Sequence, residues 1–442
     1  LAWSGYLLLR VGDAGLLVAI LILMDATGTL SIGPALEAGS TLDATHLGWV
    51  VVGFVLAVWV KLGGWPFHLW SRTGRRLSLA SQAWLFAIVV PNLGAYLLYR
   101  VTPLLELVGL LQTVALWLGA GGAAVAALIA LTQPEPRPAL VYVGAAQGGL
   151  ALFVAAAGVK SVVWLGILML TPVRLLLFLA ANAARNAGLA RQRSVSACLF
   201  GLGGLALAIF SLLTTWWTQG ASVPLDALFI AQAAVAMIAV WTVRTAWRLS
   251  QPPSGTEVET TVHWTQWTTV GLLGGGVLVG GLMFEPLIHH LSTLALPTLP
   301  ELLRYVATAP ALLAVLVLSL AAWRLQRRPG QRPLVVVEPI EGMYDLEEGL
   351  ARVALALRAV VEVGIAERIV ALVVRAVASG ARVAHHVVEH EGVEGILRRT
   401  VGIVVALSRA LQRWHTGRLR RNLLWVPIAL ALAVLALVVY GW

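Results

Sequence analysis

Apolar runs of about 18 residues or more recur through the first three quarters of this sequence, and each can cross a bilayer core of about 30 Å. A backbone in hydrocarbon has to satisfy its own hydrogen bonds, which a helix does within one segment. A β-barrel would alternate apolar and polar residues, and that alternation is absent. Composition agrees: 59% of the 442 residues are hydrophobic and 12% are charged, against about a quarter charged in soluble domains. The expected fold class is all-α: a polytopic membrane helix bundle of about eleven transmembrane helices, with a long amphipathic lateral helix before the last span.

The spans read at roughly 4–25, 47–63, 81–100, 103–132, 138–158, 161–182, 195–217, 224–249, 266–288, 308–326 and 422–441. Clusters of Pro, Gly and charge separate them, at Arg72–Arg76, Thr132–Pro138 and Pro252–Glu259. Pro91 falls in the middle of the third span and predicts a kink or unwound turn there. The composition changes after Arg327. Residues 327–340 are basic and Pro-rich, a linker. From Glu341 to Trp414 there is no proline, and charges such as Glu362, Glu367, Arg368, Arg375 and Arg382 recur among Val, Ala and Leu. That pattern suits a surface helix. The expected organisation is a bundle over 1–326, the linker, a lateral surface helix over 341–414 and a membrane anchor over 415–442. The first residue is Leu, so a fragment, a processed form and an unusual start all stand open.

The net charge of +10 comes almost wholly from arginine, since Lys61 and Lys160 are the only lysines. The arginines cluster beside apolar runs, so cytoplasmic loops and anionic lipid, and not nucleic acid, are the expected partners. Arg418, Arg420 and Arg421 before the last span put that flank in the cytoplasm and the C-terminus on the opposite side. Cys198 is the only cysteine, which excludes a disulfide scaffold and a Cys-ligated cluster within the chain. No nicotinamide or flavin fingerprint follows a strand, so no cofactor is expected.

Charges inside the membrane are expensive and each needs a reason. Arg10 and Asp13 lie three apart in the first span and share a face, as a structural pair or as part of an ion path. Lys61 ends a strongly apolar run, with Pro66 expected to loosen the backbone behind it. It either serves an ion path or snorkels to the interface. Arg174 sits deep in a span beside Pro172. A guanidinium can set a field but cannot release a proton, whereas a desolvated lysine can relay one. Two cations beside helix-breaking prolines suggest an ion or proton path. His386-Val-Val-Glu-His390 matches a zinc-peptidase pattern. With no third ligand evident it reads as chance, and no metal is expected. The glycine runs at 119–124 and 274–281 read as close helix-packing faces.

Several stretches, in order, resemble the antiporter-type membrane subunits of respiratory complex I, the distal one above all. Leu9-Arg10-Val11-Gly12-Asp13 resembles Asn-Arg-Val-Gly-Asp, with Gly28-Thr29-Leu30 at the expected distance. Lys61-Leu-Gly-Gly-Trp-Pro66-Phe-His-Leu-Trp70 resembles Lys-Ser-Ala-Gln-x-Pro-x-His-x-Trp, and Gly94-Ala-Tyr-Leu-Leu-Tyr-Arg100 resembles Gly-x-Tyr-Leu-x-x-Arg. Gln133 to Gly149, Arg174-Leu-Leu-Leu-Phe-Leu and His415-Thr-Gly417 resemble later segments of the same subunits. The resemblance implies a bundle working beside other membrane subunits, in a prokaryotic inner membrane. In that family a buried glutamate and lysine, then a chain of Lys and His, carry protons.

This sequence departs from that pattern. The helix bearing the glutamate would precede residue 1. The family's histidine in the third span aligns with Phe86, its two mid-chain lysines with Arg137 and Arg174, and two further histidines with Leu170 and Gly166. Lys61 and Asp13 keep the family's chemistry. The resemblance therefore implies proton-path candidates Lys61, Asp13, Arg10, Arg137 and Arg174, and three readings. One is a mainly structural, non-redox subunit of a complex I-like NADH–quinone oxidoreductase with a degenerate proton path. Another is an active translocating subunit centred on Lys61. The third is a membrane partner in an inorganic-carbon uptake complex.

Overall fold

The computed structural model describes residues 2–317 except positions 30, 66, 69–78, 134, 188–189, 222, 252–263 and 292–293. The expectations for the linker, the lateral helix, the His386–His390 pattern and the last span lie outside the described residues. Among the described residues every regular element is helical, as expected for apolar runs in lipid.

Helix α1 covers Ala2–Thr27, and a short α2 (Ile32–Glu37) leads to α3 (Ala44–Lys61). One turn, α4 (Leu79–Gln82), then passes through a π-helix at Ala83–Val89 into α5 (Val90–Glu106). Next come α6 (Gly109–Thr132), α7 (Pro136–Ala156), α8 (Lys160–Arg185), α9 (Ala190–Trp217) and α10 (Leu225–Ser250). Helices α11 (Trp264–Leu282), α12 (Phe284–Leu291) and α13 (Leu299–Thr308) complete the series. Seven of the described helices are long and apolar enough to cross a membrane: Ala44–Lys61, Ala83–Glu106, Gly109–Thr132, Pro136–Ala156, Lys160–Arg185, Ala190–Gly220 and Leu225–Ser250. An eighth is counted if Leu299–Thr308 and Pro310–Val317, bent by 73°, form one broken span. The protein is thus a multi-pass helical membrane protein.

Boundaries differ from expectation at prolines and turns. The third span runs through Pro103 to Glu106 instead of stopping at 100. Thr102, just before that proline, turns its hydroxyl back to the Leu98 carbonyl at 2.7 Å. Pro91 produces neither an unwound turn nor a simple kink. The preceding residues widen into the π-helix, which makes room for a ring that would clash with the carbonyl four residues back. The expected span at 266–288 is two helices, with a turn at Met283.

Helix α7 lies at the centre: 83% of its membrane-length window is buried. It reaches α6 through paired glycines. A Cβ on Gly119 would lie 2.8 Å from the Gly149 carbonyl oxygen, and one on Gly149 2.7 Å from that of Gly119. The expected packing role of the 119–124 run therefore holds at Gly119 and Gly122, while Gly121 meets nothing. In the 274–281 run only Gly274 packs, against Leu199, and Gly275, Gly276, Gly280 and Gly281 meet no described atom.

Candidate functional site

The site begins where α3 stops. Asp43 starts this helix by accepting the backbone N–H groups of Thr45 and His46 at 3.1 and 3.3 Å. Its far end closes on Gly63, at φ 67°. Gly64 N–H donates to the Trp59 carbonyl and Gly63 N–H to that of Val60, at 3.0 and 3.1 Å. This is a Schellman cap, and only a residue tolerant of positive φ fits its αL position. The helix thus ends on its glycine cap, three residues before Pro66, whose expected loosening of the backbone falls outside the described residues. Lys61 is the last helical residue.

The Lys61 ammonium meets α1. It donates to Asp13 Oδ1 of α1 at 2.7 Å, and Arg10 Nη1 donates to Oδ2 of the same carboxylate at 3.3 Å. The pair expected within α1 exists, but Asp13 is shared between two cations. Lys61 is 20% exposed, Asp13 38% and Arg10 57%. The contact depends on how closely α1 and α3 approach. Gly12 faces Val60, and a Cβ on Gly53 would lie 2.4 Å from the Gly15 carbonyl oxygen.

On the other side of the α3 terminus, Leu62 lines a cavity shared with α5, α7, α8 and α9. Gly94 and Gly148 let the backbone in, since a Cβ on them would meet Leu62 N at 2.8 Å and Leu62 O at 2.7 Å. About 30 Å³ of it is open to the centre of a water molecule, and about 10–15 Å³ of such space holds one water. Its polar lining comprises Asn92, Gln147, Thr214 and Arg174. Asn92 bonds Thr171 at 2.8 Å, and Gln147 Nε2 donates to Ser211 at 2.7 Å. The Arg174 Nε is buried with no hydrogen-bond partner among the described residues. Helix α8 runs unbroken past Pro172, so the helix break expected beside Arg174 does not form. Gly166 and Leu170 line the same cavity.

Arg137 stands apart from the cavity, at the first turn of α7. Its Nη2 donates to Asn182 Oδ1 at 3.1 Å, near the end of α8. The neighbouring Arg185–Glu135 contact, at 3.8 Å and exposed, contributes little. The structure thus brings Arg10, Asp13 and Lys61 together, puts Arg174 in the adjacent cavity, and leaves Arg137 in a helix-terminal contact.

Two residues went unremarked as site candidates. His68 is buried, its ring 4.7 Å from that of Tyr142. Its place in the Pro-x-His segment was the available signal. Arg244, on α10, is also buried and donates to the Leu131 carbonyl, one of the last of α6 that its own helix leaves unpaired. Nothing in the sequence marks which carbonyl it reaches.

Fold and site together define a polytopic α-helical membrane protein with a lysine–aspartate pair clamping two helices beside an arginine-lined cavity. Residues 4–250 match the NADH:quinone oxidoreductase/Mrp antiporter, TM family, and the chain belongs to that family. Subunit L of the NADH-quinone oxidoreductase of Campylobacter jejuni is 25% identical over 216 residues, covering 46% of this chain and 36% of that protein. Chain 5 of the NAD(P)H-quinone oxidoreductase of Picosynechococcus is 31% identical over 148 residues, covering 32% and 22%. A solved Mrp complex from Dietzia shares the fold, with a TM-score of 0.63 over 88% of this chain and 47% of the chain compared, at 17% identity. The matched stretch therefore spans about a third or less of those two relatives' length. The complex I resemblance read from the motifs is borne out at the level of this family.

Proposed function

We propose that this chain is a membrane-arm subunit of a complex I-like, proton-translocating NADH–quinone oxidoreductase, and that its role there is largely structural. One observation carries the reading. Of the residues lining the central cavity, Arg174 alone is ionisable. The family's histidines would fall at Gly166 and Leu170, which line that cavity and cannot titrate. A guanidinium keeps its proton, so no group in this lining can take up a proton and pass it on. In this reading the chain holds no redox cofactor, sits in a prokaryotic inner membrane and works beside other membrane subunits. Arg10 and Asp13 support the last point. They lie near the middle of a 26-residue helix and are partly exposed in the single chain, and such charges in a membrane need cover from protein or water.

A second reading, active translocation centred on Lys61, draws on the 2.7 Å Lys61–Asp13 contact and on the buried His68 nearby in the chain. One measurement separates the two. Lys61→Met is introduced into the intact complex, and proton uptake per electron is followed in sealed vesicles. The structural reading expects an unchanged ratio. A lower ratio at full assembly would overturn it and establish Lys61 as a proton carrier.

A further inference from the structure

We propose that the cavity beside Arg174 is a binding site for a small monovalent anion of the chloride class. Arg174 is the fifteenth residue of the 26-residue α8, midway along the span. Its charge cannot be discharged by losing a proton. Yet no carboxylate lines the cavity, and none pairs with Arg174 among the described residues. An uncompensated cation at that depth is expensive, and a mobile counter-ion is what the lining can still accept.

The lining is rich in donors. Asn92 directs one amide hydrogen to Thr171 and Gln147 directs one to Ser211, which leaves each amide a second N–H. One guanidinium, two amides and the Thr214 hydroxyl, with no acidic group among them, suit an anion better than a metal cation. Size narrows the ligand. The 30 Å³ open to water centres has room for one dehydrated halide or about two waters, and gluconate does not fit. Gly166 supplies part of that room: a Cβ there would meet only the Phe210 ring, at 3.6 Å. The proposal does not depend on whether the chain moves protons, so its failure would leave the structural reading standing.

The test is equilibrium binding of radiolabelled chloride to the purified full chain in nanodiscs of zwitterionic lipid. We expect one saturable site per chain, displaced by bromide and not by gluconate. Arg174→Met should abolish it, Arg174→Lys should retain it, and Gln147→Leu should weaken it about tenfold, as loss of a hydrogen bond to a charged group does. Should Arg174→Met fail to fold, Gly166→Leu fills the cavity while keeping the charge, and is expected to lose the site as well. No saturable binding to the unaltered chain would mean the cavity holds water only. Equal binding by Gly166→Leu would mean that chloride sits on surface arginines. Either result overturns the proposal.

Discussion

Gly53 shows how much of this bundle hangs on single atoms. A Cβ there would sit 2.4 Å from the backbone oxygen of Gly15, and backbone cannot yield as a side-chain tip can. Gly53→Leu should therefore force α3 off α1 and cost about 1–3 kcal/mol, as overpacking usually does. It should also pull Lys61 out of reach of Asp13. A double-mutant cycle of Lys61→Met and Asp13→Asn, run by thermal unfolding with and without Gly53→Leu, checks this. The coupling is expected in the unaltered background and absent in the Gly53→Leu background. Persistence of the coupling would show that the seam is not what holds the pair. At this scale the sequence was half legible. Lys61, Asp13 and Arg10 announced themselves because charge in an apolar run is rare. Gly15 and Gly53 did not, since lone glycines in apolar helices acquire meaning only when two helices are laid together.

Helix α3 illustrates what an element's ends do for its contents. Its cap at Gly63 stops the helix at Lys61 and sends the backbone on between Gly94 and Gly148. Its other cap, Asp43, has a pH signature. A hydrogen bond from His46 is the largest of the effects that hold the Asp43 carboxyl below its ordinary value of 3.8. A depressed carboxylate contributes stability above its unfolded value and loses it as pH falls through the lower folded value. Amide protection factors at Thr45 and His46 should accordingly drop on acidification from about pH 6 to below the ordinary aspartate range. Asp43→Asn, which keeps an acceptor but cannot titrate there, should be flat. A flat profile in the unaltered chain would remove the pH-linked cap. Periodicity and length made the spans readable, while their breaks were not. Pro91 shows why: a proline in a long apolar run demands relief, but whether a kink, an unwound turn or a π-helix supplies it depends on what packs alongside.

At the scale of the whole molecule, the family match ends at residue 250 but the packed bundle continues. Trp217 Nε1 donates to the Ala295 carbonyl at 2.8 Å, and Gln232 Nε2 to the Tyr305 hydroxyl at 3.0 Å, so α9 holds the segment leading into α13 and α10 holds α13 itself. The sequence beyond poses a question of reach. Residues 341–414 carry amphipathic charge spacing without a proline, and as one helix they would run about 100 Å at 1.5 Å per residue. The longest described span, Ala190–Gly220 with 31 residues, is under half that. We propose that this stretch serves as a clamp to the other membrane subunits of the proposed complex. Stopping the chain at about residue 340 should leave unfolding of the bundle near its original temperature. Co-purification with the rest of the membrane arm should collapse. If the shortened chain still assembled normally, the stretch would not be a clamp.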